Sequence, residues 1–232
     1  MSPSRASKAP ELTGPVEDYL KAIYELERTG QAAETNAIAK ALSIAPASVS
    51  GMVRRLAEQG LISHERYRGA RLTAAGRRAA LKTLRRHRVI EAYLTTALGY
   101  SWDRVHDEAE RLEHAASDEL IDRMAAAIGE PETDPHGAPI PTREGTLRER
   151  SLVTLASLEP GNAARVERVS DRNAERLRYL AELGIVPGIV VQVVAREPFG
   201  GPIALRVADL PRTIGPELAS QILVAPTPAP RN

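Results

Sequence analysis

The chain has 232 residues, of which 43% are hydrophobic, 26% are charged and only 3% are aromatic. This length suits one large domain or about two to three small ones, and the composition excludes a fully disordered chain and a membrane protein. The absence of cysteine excludes disulfides, zinc-thiolate sites and thiol chemistry. No apolar signal segment follows Met1, so we expect a cytoplasmic protein without a membrane partner.

The net charge of +1 conceals an uneven distribution of charge along the chain. In residues 51–88, eleven Lys or Arg stand against Glu58 and Glu65, which gives a net charge of +9. In residues 101–134, eleven Asp or Glu stand against three Arg, which gives a net charge of −8. The first segment is suited to bind phosphates, and the second is suited to bind cations.

Residues 1–10 lack periodicity and are expected to form a disordered tail, and three short helices are predicted after them. Their apolar residues recur at helical spacing in residues 16–26, 35–42 and 47–59. Thr35 is a candidate N-cap of the second helix, and Gly60 is a stop signal after the third. Because the breaker segment Ser43-Ile44-Ala45-Pro46 separates the second helix from the third, the pattern predicts a helix-turn-helix.

A basic hairpin is predicted next, with two short strands in residues 61–73 around a turn at Arg68-Gly69. Together with the preceding helices it forms a winged helix-turn-helix, in which the third helix enters the DNA major groove and the wing holds phosphates. Five arginines have the placement for phosphate contact: Arg54, Arg55, Arg66, Arg68 and Arg71. The alternative is an ordinary three-helix core with a solvated arginine surface.

Two longer helices follow, the first at residues 73–98 and the second at residues 102–128. Beside the apolar stripe of the second helix, four polar residues fall within an arc of about 100°. They are His106, Glu110, Glu113 and His114. Imidazole and carboxylate groups on one helix edge form a metal-ligand set, although a solvated acidic face with two chance histidines would give the same pattern.

A second ligand-capable pair, His87 and Glu91, lies one helical turn apart on the preceding helix. The clustering of histidines near the acidic segment favours a metal site. The ligand motifs of metalloenzymes are not found in the sequence. His-Glu-x-x-His is absent, and Arg111 stands where the Glu-x-x-His pair of a di-iron site would need Glu. We therefore expect neither catalysis nor a small-molecule substrate.

The C-terminal third differs in composition from the rest of the chain. Four prolines in residues 130–145 predict an extended linker. Beyond it, β-branched alternating runs predict strands at residues 164–169, 190–194 and 203–207, with one helix at 174–183. This combination fits a small SH3-like barrel, and few aromatic residues are available to line a proline-recognising groove.

Several motifs together resemble the diphtheria toxin repressor family of metal-dependent transcriptional regulators, over nearly the whole chain. They are Glu17-Asp18-Tyr19-Leu20, Ile23-Tyr24-Glu25-Leu26, the winged helix, Tyr67-Arg68-Gly69, Arg86-His87-Arg88, residues 105–114 and residues 134–141. In the last domain, residues 183–188 and 198–202 resemble the SH3-like domain of the longer members. The resemblance implies a homodimer that binds a palindromic DNA operator when Fe(II) or Mn(II) is loaded.

The resemblance also implies two metal sites. The primary site falls on Asp18, Glu110, Glu113 and His114. The ancillary site falls on His87, Glu91 and His106, with Asp171 as the candidate ligand from the last domain and Glu175 as the second choice. Asp18 would then connect the DNA-binding domain to the dimerisation domain and set the spacing of the recognition helices.

Three departures from the family pattern bear on the metal and the operator. Asp18 and Glu110 replace the sulfur ligands of iron-responsive members, so the ligand chemistry favours Mn(II), with Fe(II) as the alternative. Lys21 replaces a Glu of the compact manganese regulators, which favours separate primary and ancillary sites. Gly51 replaces a Gln of the recognition helix. The candidate DNA contacts are Thr35, Pro46, Ser48, Ser50, Arg54, Arg55 and Arg68.

The expected architecture is mainly α with α+β parts, in three domains. These are a winged helix-turn-helix at 11–76, a helical dimerisation and metal-binding domain at 77–132, and an SH3-like small β-barrel at 151–226 that follows a Pro-rich linker at 133–150. The expected function is a Mn(II)-activated repressor of metal-uptake genes. A winged-helix regulator that senses Fe(II) or an organic effector, and a metalloenzyme, are the alternatives.

Overall fold

The computed structural model describes residues 12–65, 69–148 and 150–227. By its internal contacts the chain divides into two compact units. The first unit holds the chain up to Leu84 together with Pro141–Thr146, and the second holds Arg85–Ile140 together with the chain from Leu147 onward. Within the described ranges, no helix is both long enough and apolar enough to cross a membrane.

The first unit begins with a three-helix arrangement that confirms the predicted helix-turn-helix. Its helices are α1 (Gly14–Arg28), α2 (Thr35–Ala41) and α3 (Pro46–Glu58). Each helix buries an apolar stripe, which in α3 consists of Val49, Val53 and Leu56. Thr35 is the first residue of α2 rather than its N-cap, because the extended Glu34 holds the capping position without a side-chain bond.

The wing is an antiparallel pair, β1 (Ile62–Glu65) and β2 (Gly69–Leu72), as the sequence predicts. Arg66 and Arg68, both predicted to contact phosphates, lie outside the described residues, and Gly69 of the predicted Arg68-Gly69 turn is the first residue of β2. Glu27 at the end of α1 fixes the wing, because its carboxylate accepts the Leu72 N–H at 2.8 Å and pairs with Arg77 at 2.9 Å.

The helical part of the second unit contains a helix break that the sequence prediction missed. After the long α4 (Ala74–Leu98), the predicted single helix at 102–128 is wrong and divides into α5 (Val105–Leu112) and α6 (Asp118–Ala127). Ser117 caps α6, since its Oγ accepts the Leu120 N–H at 3.2 Å. Apolar residues of α4, α5 and α6 form one core: Val89, Ile90, Leu94, Val105, Ala109, Ile121 and Ala125.

Residues 134–140 form a partly buried turn rather than the extended segment that the prolines of residues 130–145 predict. Thr133 bridges to Pro139, and the Oδ1 atom of Asp134 accepts the backbone N–H groups of His136 and Ala138 at 2.8 and 2.9 Å. Asp134, His136 and Ala138 are all buried. We call residues 134–140 the 134–140 turn.

The C-terminal part is an antiparallel six-stranded sheet in the order β3-β8-β4-β5-β6-β7. Its strands are β3 (Val153–Thr154), β4 (Ala163–Val169), β5 (Val190–Arg196), β6 (Ile203–Val207), β7 (Leu210–Ile214) and β8 (Ile222–Pro226). The helix α7 (Ala174–Glu182) and the short α8 (Pro216–Ala219) complete it around one apolar core. The predicted β4, β5, β6 and α7 are confirmed, whereas β3, β7, β8 and α8 were missed.

Candidate metal centre

Buried polar side chains meet where α4 packs beside α5. His87 and Glu91 lie one turn apart on α4, and both are buried. His106 lies on α5, and Asp171 follows the end of β4 by two residues. These four residues can each direct one ligand atom to a common point, with all four atoms within 4.8 Å of one another. The structure thus brings together the residues of the predicted ancillary site.

Three of these atoms form a nearly equilateral triangle. His87 Nε2 lies 3.1 Å from Glu91 Oε1 and 3.1 Å from His106 Nδ1, and His106 Nδ1 lies 3.2 Å from Glu91 Oε1. Asp171 Oδ2 is 3.8 Å from His106 Nδ1. Two ligand atoms about 2.1 Å from one ion and at a right angle to each other are separated by about 3.0 Å. The triangle therefore has the dimensions of one face of an octahedral site.

Glu113 sets the orientation of the His87 ring. Its Oε2 atom lies 2.6 Å from His87 Nδ1, and both side chains are buried. Because Nδ1–H donates to this carboxylate, the lone pair of the opposite nitrogen, Nε2, points into the triangle. A carboxylate behind an imidazole is the usual support of a metal-binding histidine.

The electrostatics of Glu91 also suit a cation. Burial alone would raise the pKa of the Glu91 carboxyl, but the imidazoles around it hold that pKa well below its usual value. Those imidazoles belong to His87, His106 and His136. The second oxygen, Oε2, has no hydrogen-bond partner among the described residues. A buried, ionised carboxylate with an unused oxygen beside converging imidazoles fits a divalent cation.

A neighbouring group shares Glu91 and was not predicted as a ligand set: Glu91, Asp134 and His136, all buried. His136 Nε2 lies 2.7 Å from the Trp102 carbonyl, and His136 Nδ1 is 3.8 Å from Glu91 Oε1. Burial alone would lower the pKa of the His136 imidazole, but the neighbouring Glu91 carboxylate raises that pKa to about 9. A cation that binds His136 Nδ1 would therefore have to displace a proton. Burial and the charge of Glu91 raise the pKa of Asp134 to about 6.

Sequence reasoning treated Asp134 and His136 as family motif residues and missed their place beside Glu91. The available signal was an Asp-x-His pattern within a Pro-rich segment that itself becomes buried. A pattern of this kind is ambiguous without the fold, because a Pro-rich segment usually lies at the surface.

The predicted primary ligands lie on different elements. Glu110 is exposed on α5, Glu113 caps the end of α5, and His114 follows with its Nε2 3.5 Å from Glu113 Oε1. His87, Glu110 and Glu113 can direct ligand atoms to within 4.8 Å of one another. Asp18 lies half-buried on α1 of the first unit.

The expected convergence of four residues along one helix edge is therefore wrong in part. His106 faces His87 and Glu91, whereas Glu113 and His114 lie beyond the last residue of α5. His106 and Glu110 remain neighbours, with 3.8 Å between His106 Nε2 and Glu110 Oε1. Glu175, the second choice beside Asp171, is exposed in the first turn of α7.

The candidate DNA contacts lie mainly on the outer face of α3. The exposed residues of α3 include Pro46, Ser48, Ser50, Gly51, Arg54 and Arg55 as well as Ala47 and Glu58, and Glu58 lies 3.8 Å from Arg54. Thr35 is half-buried at the start of α2, and Arg68 lies outside the described residues. The face opposite the apolar stripe of α3 thus carries small polar residues followed by two arginines, a surface suited to a DNA groove.

Three segments of the chain match known protein families. Residues 11–70 match the N-terminal DNA binding domain of iron dependent repressors, and residues 73–142 match their metal binding and dimerisation domain. Residues 153–226 match the FeoA domain. These matches confirm the predicted fold class, including the SH3-like C-terminal domain.

Two curated relatives and one solved structure extend these matches over most of the chain. The diphtheria toxin repressor of Corynebacterium jeikeium is 31% identical, over 81% of this chain and 88% of the relative. The iron-dependent repressor IdeR of Mycobacterium leprae is 30% identical, over 92% of this chain and 98% of the relative. A manganese-dependent transcriptional repressor in complex with manganese is 38% identical with a TM-score of 0.87, over 91% of this chain and all of that structure.

Proposed function

Because the chain belongs to the diphtheria toxin repressor family of metal-dependent, DNA-binding transcriptional repressors, we propose that Mn(II) activates it to repress metal-uptake genes. In this proposal a homodimer binds a palindromic operator, with one helix-turn-helix on each half-site. The observation that carries it is the triangle of His87, Glu91 and His106, a partly buried site for a divalent cation built from nitrogen and oxygen alone.

The choice of Mn(II) rests on the chemistry of the ligands. Carboxylate and imidazole ligands suit Mn(II), whereas thiolate and thioether ligands favour softer or later metals. The chain has no cysteine, and its proposed ligands are all Asp, Glu or His. Fe(II) is the second candidate, since the curated relative from Mycobacterium leprae is an iron-dependent repressor.

The proposed primary site consists of Asp18, Glu110, Glu113 and His114, with Asp18 assigned by its position in the family motif. A bound dication would neutralise the mutual repulsion of these carboxylates. The proposed ancillary site consists of His87, Glu91, His106 and Asp171. Glu91 also belongs to a second candidate ligand group, with Asp134 and His136. Because His87 and Glu113 are in contact, the two proposed sites are adjacent.

A homodimer is supported by the apolar residues that the helical domain leaves exposed. Leu98, Tyr100, Leu112 and Leu120 are 59%, 41%, 38% and 44% exposed. Exposed apolar side chains of this size mark an interaction surface when they cluster on one domain. Residues 73–142 also match a family domain described as a dimerisation domain.

The deciding experiment is a DNA selection from a random pool, followed by fluorescence anisotropy on the selected operator with Mn(II) and with chelator. We expect specific binding with Mn(II) and its loss with chelator. Equal specific affinity under both conditions would favour a regulator that senses an organic effector. Turnover of a substrate by the metal-loaded protein would favour the metalloenzyme, although the relatives are repressors.

Substituting Arg54 by alanine is expected to weaken DNA binding across all sequences. Arg54 is exposed on α3, where its guanidinium would neutralise a phosphate, so the slope of log affinity against log salt should fall by about one unit. Anisotropy titrations at several salt concentrations measure this slope. Arg123→Ala on α6 is the matched control, and an unchanged slope in Arg54→Ala would remove Arg54 from the interface.

A sulfur-containing primary site is expected to shift the metal response. In the double variant Asp18→Met with Glu110→Cys, the Mn(II) concentration for half-maximal DNA binding should rise several times more than that of Co(II). The loss of negative charge weakens binding of every dication, so the ratio between the metals is the informative quantity. Equal shifts for both metals would show that selectivity does not come from the softness of these two ligands.

A further inference from the structure

The 134–140 turn contacts β4 through the backbones of both segments. The carbonyl of His136 accepts the N–H of Val169, the last residue of β4, at 2.9 Å. Gly137 has φ +85°, and a Cβ atom at this position would lie 1.8 Å from the Glu167 carbonyl oxygen. The close approach of the two backbones therefore requires glycine at position 137.

The same turn is fixed on the side of the helices. Arg88 on α4 donates to the Pro139 carbonyl at 2.7 Å, and its Nε lies 3.6 Å from Asp134 Oδ2. The His136 ring contacts the Trp102 carbonyl at 2.7 Å and stacks on the indole of Trp102, with 5.9 Å between ring centroids. A turn held by buried polar contacts has little freedom to adjust.

Asp171 follows closely after the strand end that this turn contacts. The other three members of its ligand group belong to α4 and α5, whereas Asp171 comes from the β part of the chain. Only Ser170 separates it from Val169, whose N–H the turn holds. Because at most about 7 Å of backbone separates Val169 from Asp171, a displacement of the β4 end would move the Asp171 backbone with it.

We propose that the 134–140 turn is a latch that positions Asp171 for metal binding, and that Gly137 is the positioning residue that allows the latch to close. This inference rests on the proposed function, which assigns Asp171 to the ancillary site. Gly137 itself touches no metal in this mechanism. It acts by letting His136 reach Val169.

The test compares Gly137→Ala with Gly129→Ala. Both glycines have positive φ, at +85° and +81°, but a Cβ at Gly129 meets nothing within 4 Å. Alanine at either position therefore carries similar backbone strain, and only alanine at 137 blocks the latch. In metal-free protein, hydrogen exchange of the Val169 amide should accelerate at least about tenfold in Gly137→Ala and stay near the wild-type rate in Gly129→Ala.

The second readout is Mn(II) calorimetry on the full chain. Gly137→Ala should weaken the ancillary class of sites about tenfold, the same loss that is expected of Asp171→Asn, and leave the primary class intact. Inserting one glycine after Ser170 provides a variant that keeps the turn. It should reproduce the loss of Mn(II) affinity without faster exchange at Val169, so the proposal stays testable even when Gly137→Ala folds poorly.

Unchanged Mn(II) affinity in Gly137→Ala or in the insertion variant, with a clear loss in Asp171→Asn, would overturn the latch and leave the proposed function standing. No loss in Asp171→Asn beside a loss in His106→Ala would also overturn it, because Asp171 would then not be a ligand. Failure of the proposed function has a different signature, namely wild-type protein whose DNA binding ignores Mn(II).

Discussion

Replacing Glu113 by alanine is expected to abolish Mn(II)-dependent operator binding at Mn(II) concentrations that saturate the wild-type protein. Glu113 is fully buried, its Oε2 supports the His87 ring at 2.6 Å, and its Oε1 faces His114 at 3.5 Å. The variant loses a proposed primary ligand and also the group that orients an ancillary ligand. The Mn(II) concentration for half-maximal binding should rise by about 100-fold or more, as measured by anisotropy on the operator.

Glu119→Ala is the matched control for this loss of a carboxylate. Glu119 is exposed on α6, where it forms an ion pair with Arg123 at 2.9 Å, so its removal should leave the Mn(II) response unchanged. His114→Ala should resemble Glu113→Ala, although it leaves the support of His87 in place. A Glu113→Ala protein with a normal Mn(II) response would remove Glu113 from the primary site and show that its support of His87 is dispensable.

Replacing Gly76 by alanine is expected to destabilise the winged helix strongly. Gly76 is buried in the first turn of α4, and a Cβ there would lie 1.9 Å from the Leu61 carbonyl oxygen. That oxygen accepts the Thr73 N–H at 3.0 Å, so the backbone around it has no room to yield. Urea unfolding of the metal-free protein, followed by circular dichroism, should show a loss of about 3 kcal/mol.

Gly51→Ala provides the opposite result in a helix of the same unit. Gly51 is exposed within α3, and a Cβ there meets nothing within 4 Å. Alanine should therefore stabilise the protein by up to about 1 kcal/mol through its higher helix propensity. Similar changes in stability for Gly76→Ala and Gly51→Ala would contradict the close contact between Gly76 and Leu61.

Periodic segments with clear stop signals were predictable from the sequence. Gly60 has φ +68° just after α3, where glycine removes the steric penalty of a left-handed residue. The i,i+4 spacing of His87 and Glu91 placed both on one face of α4, and the strand β4 followed from its alternating pattern. Local patterns of this kind need no information from distant parts of the chain.

Features that depend on contacts between distant residues could not be predicted. The break between α5 and α6 lacks Gly and Pro, and only Ser117 marks the new start through its cap. His136 and Asp134 become buried because Arg88 and Trp102 bind the turn that carries them. The strands β7 and β8 have weak alternation, and pairing with β6 and β4 determines them.

The contact between Glu113 Oε2 and His87 Nδ1 makes the two proposed metal sites thermodynamically dependent on each other. A cation held by His87 Nε2 would draw electron density from the ring, which would strengthen the bond from Nδ1–H to Glu113 and hold that carboxylate in one orientation. Any gain in affinity at one site must appear as the same factor at the other, because coupling free energies are reciprocal. Occupation of one site is therefore expected to change the Mn(II) affinity of the other, so the Mn(II) concentrations that activate the protein should differ from those of two independent sites.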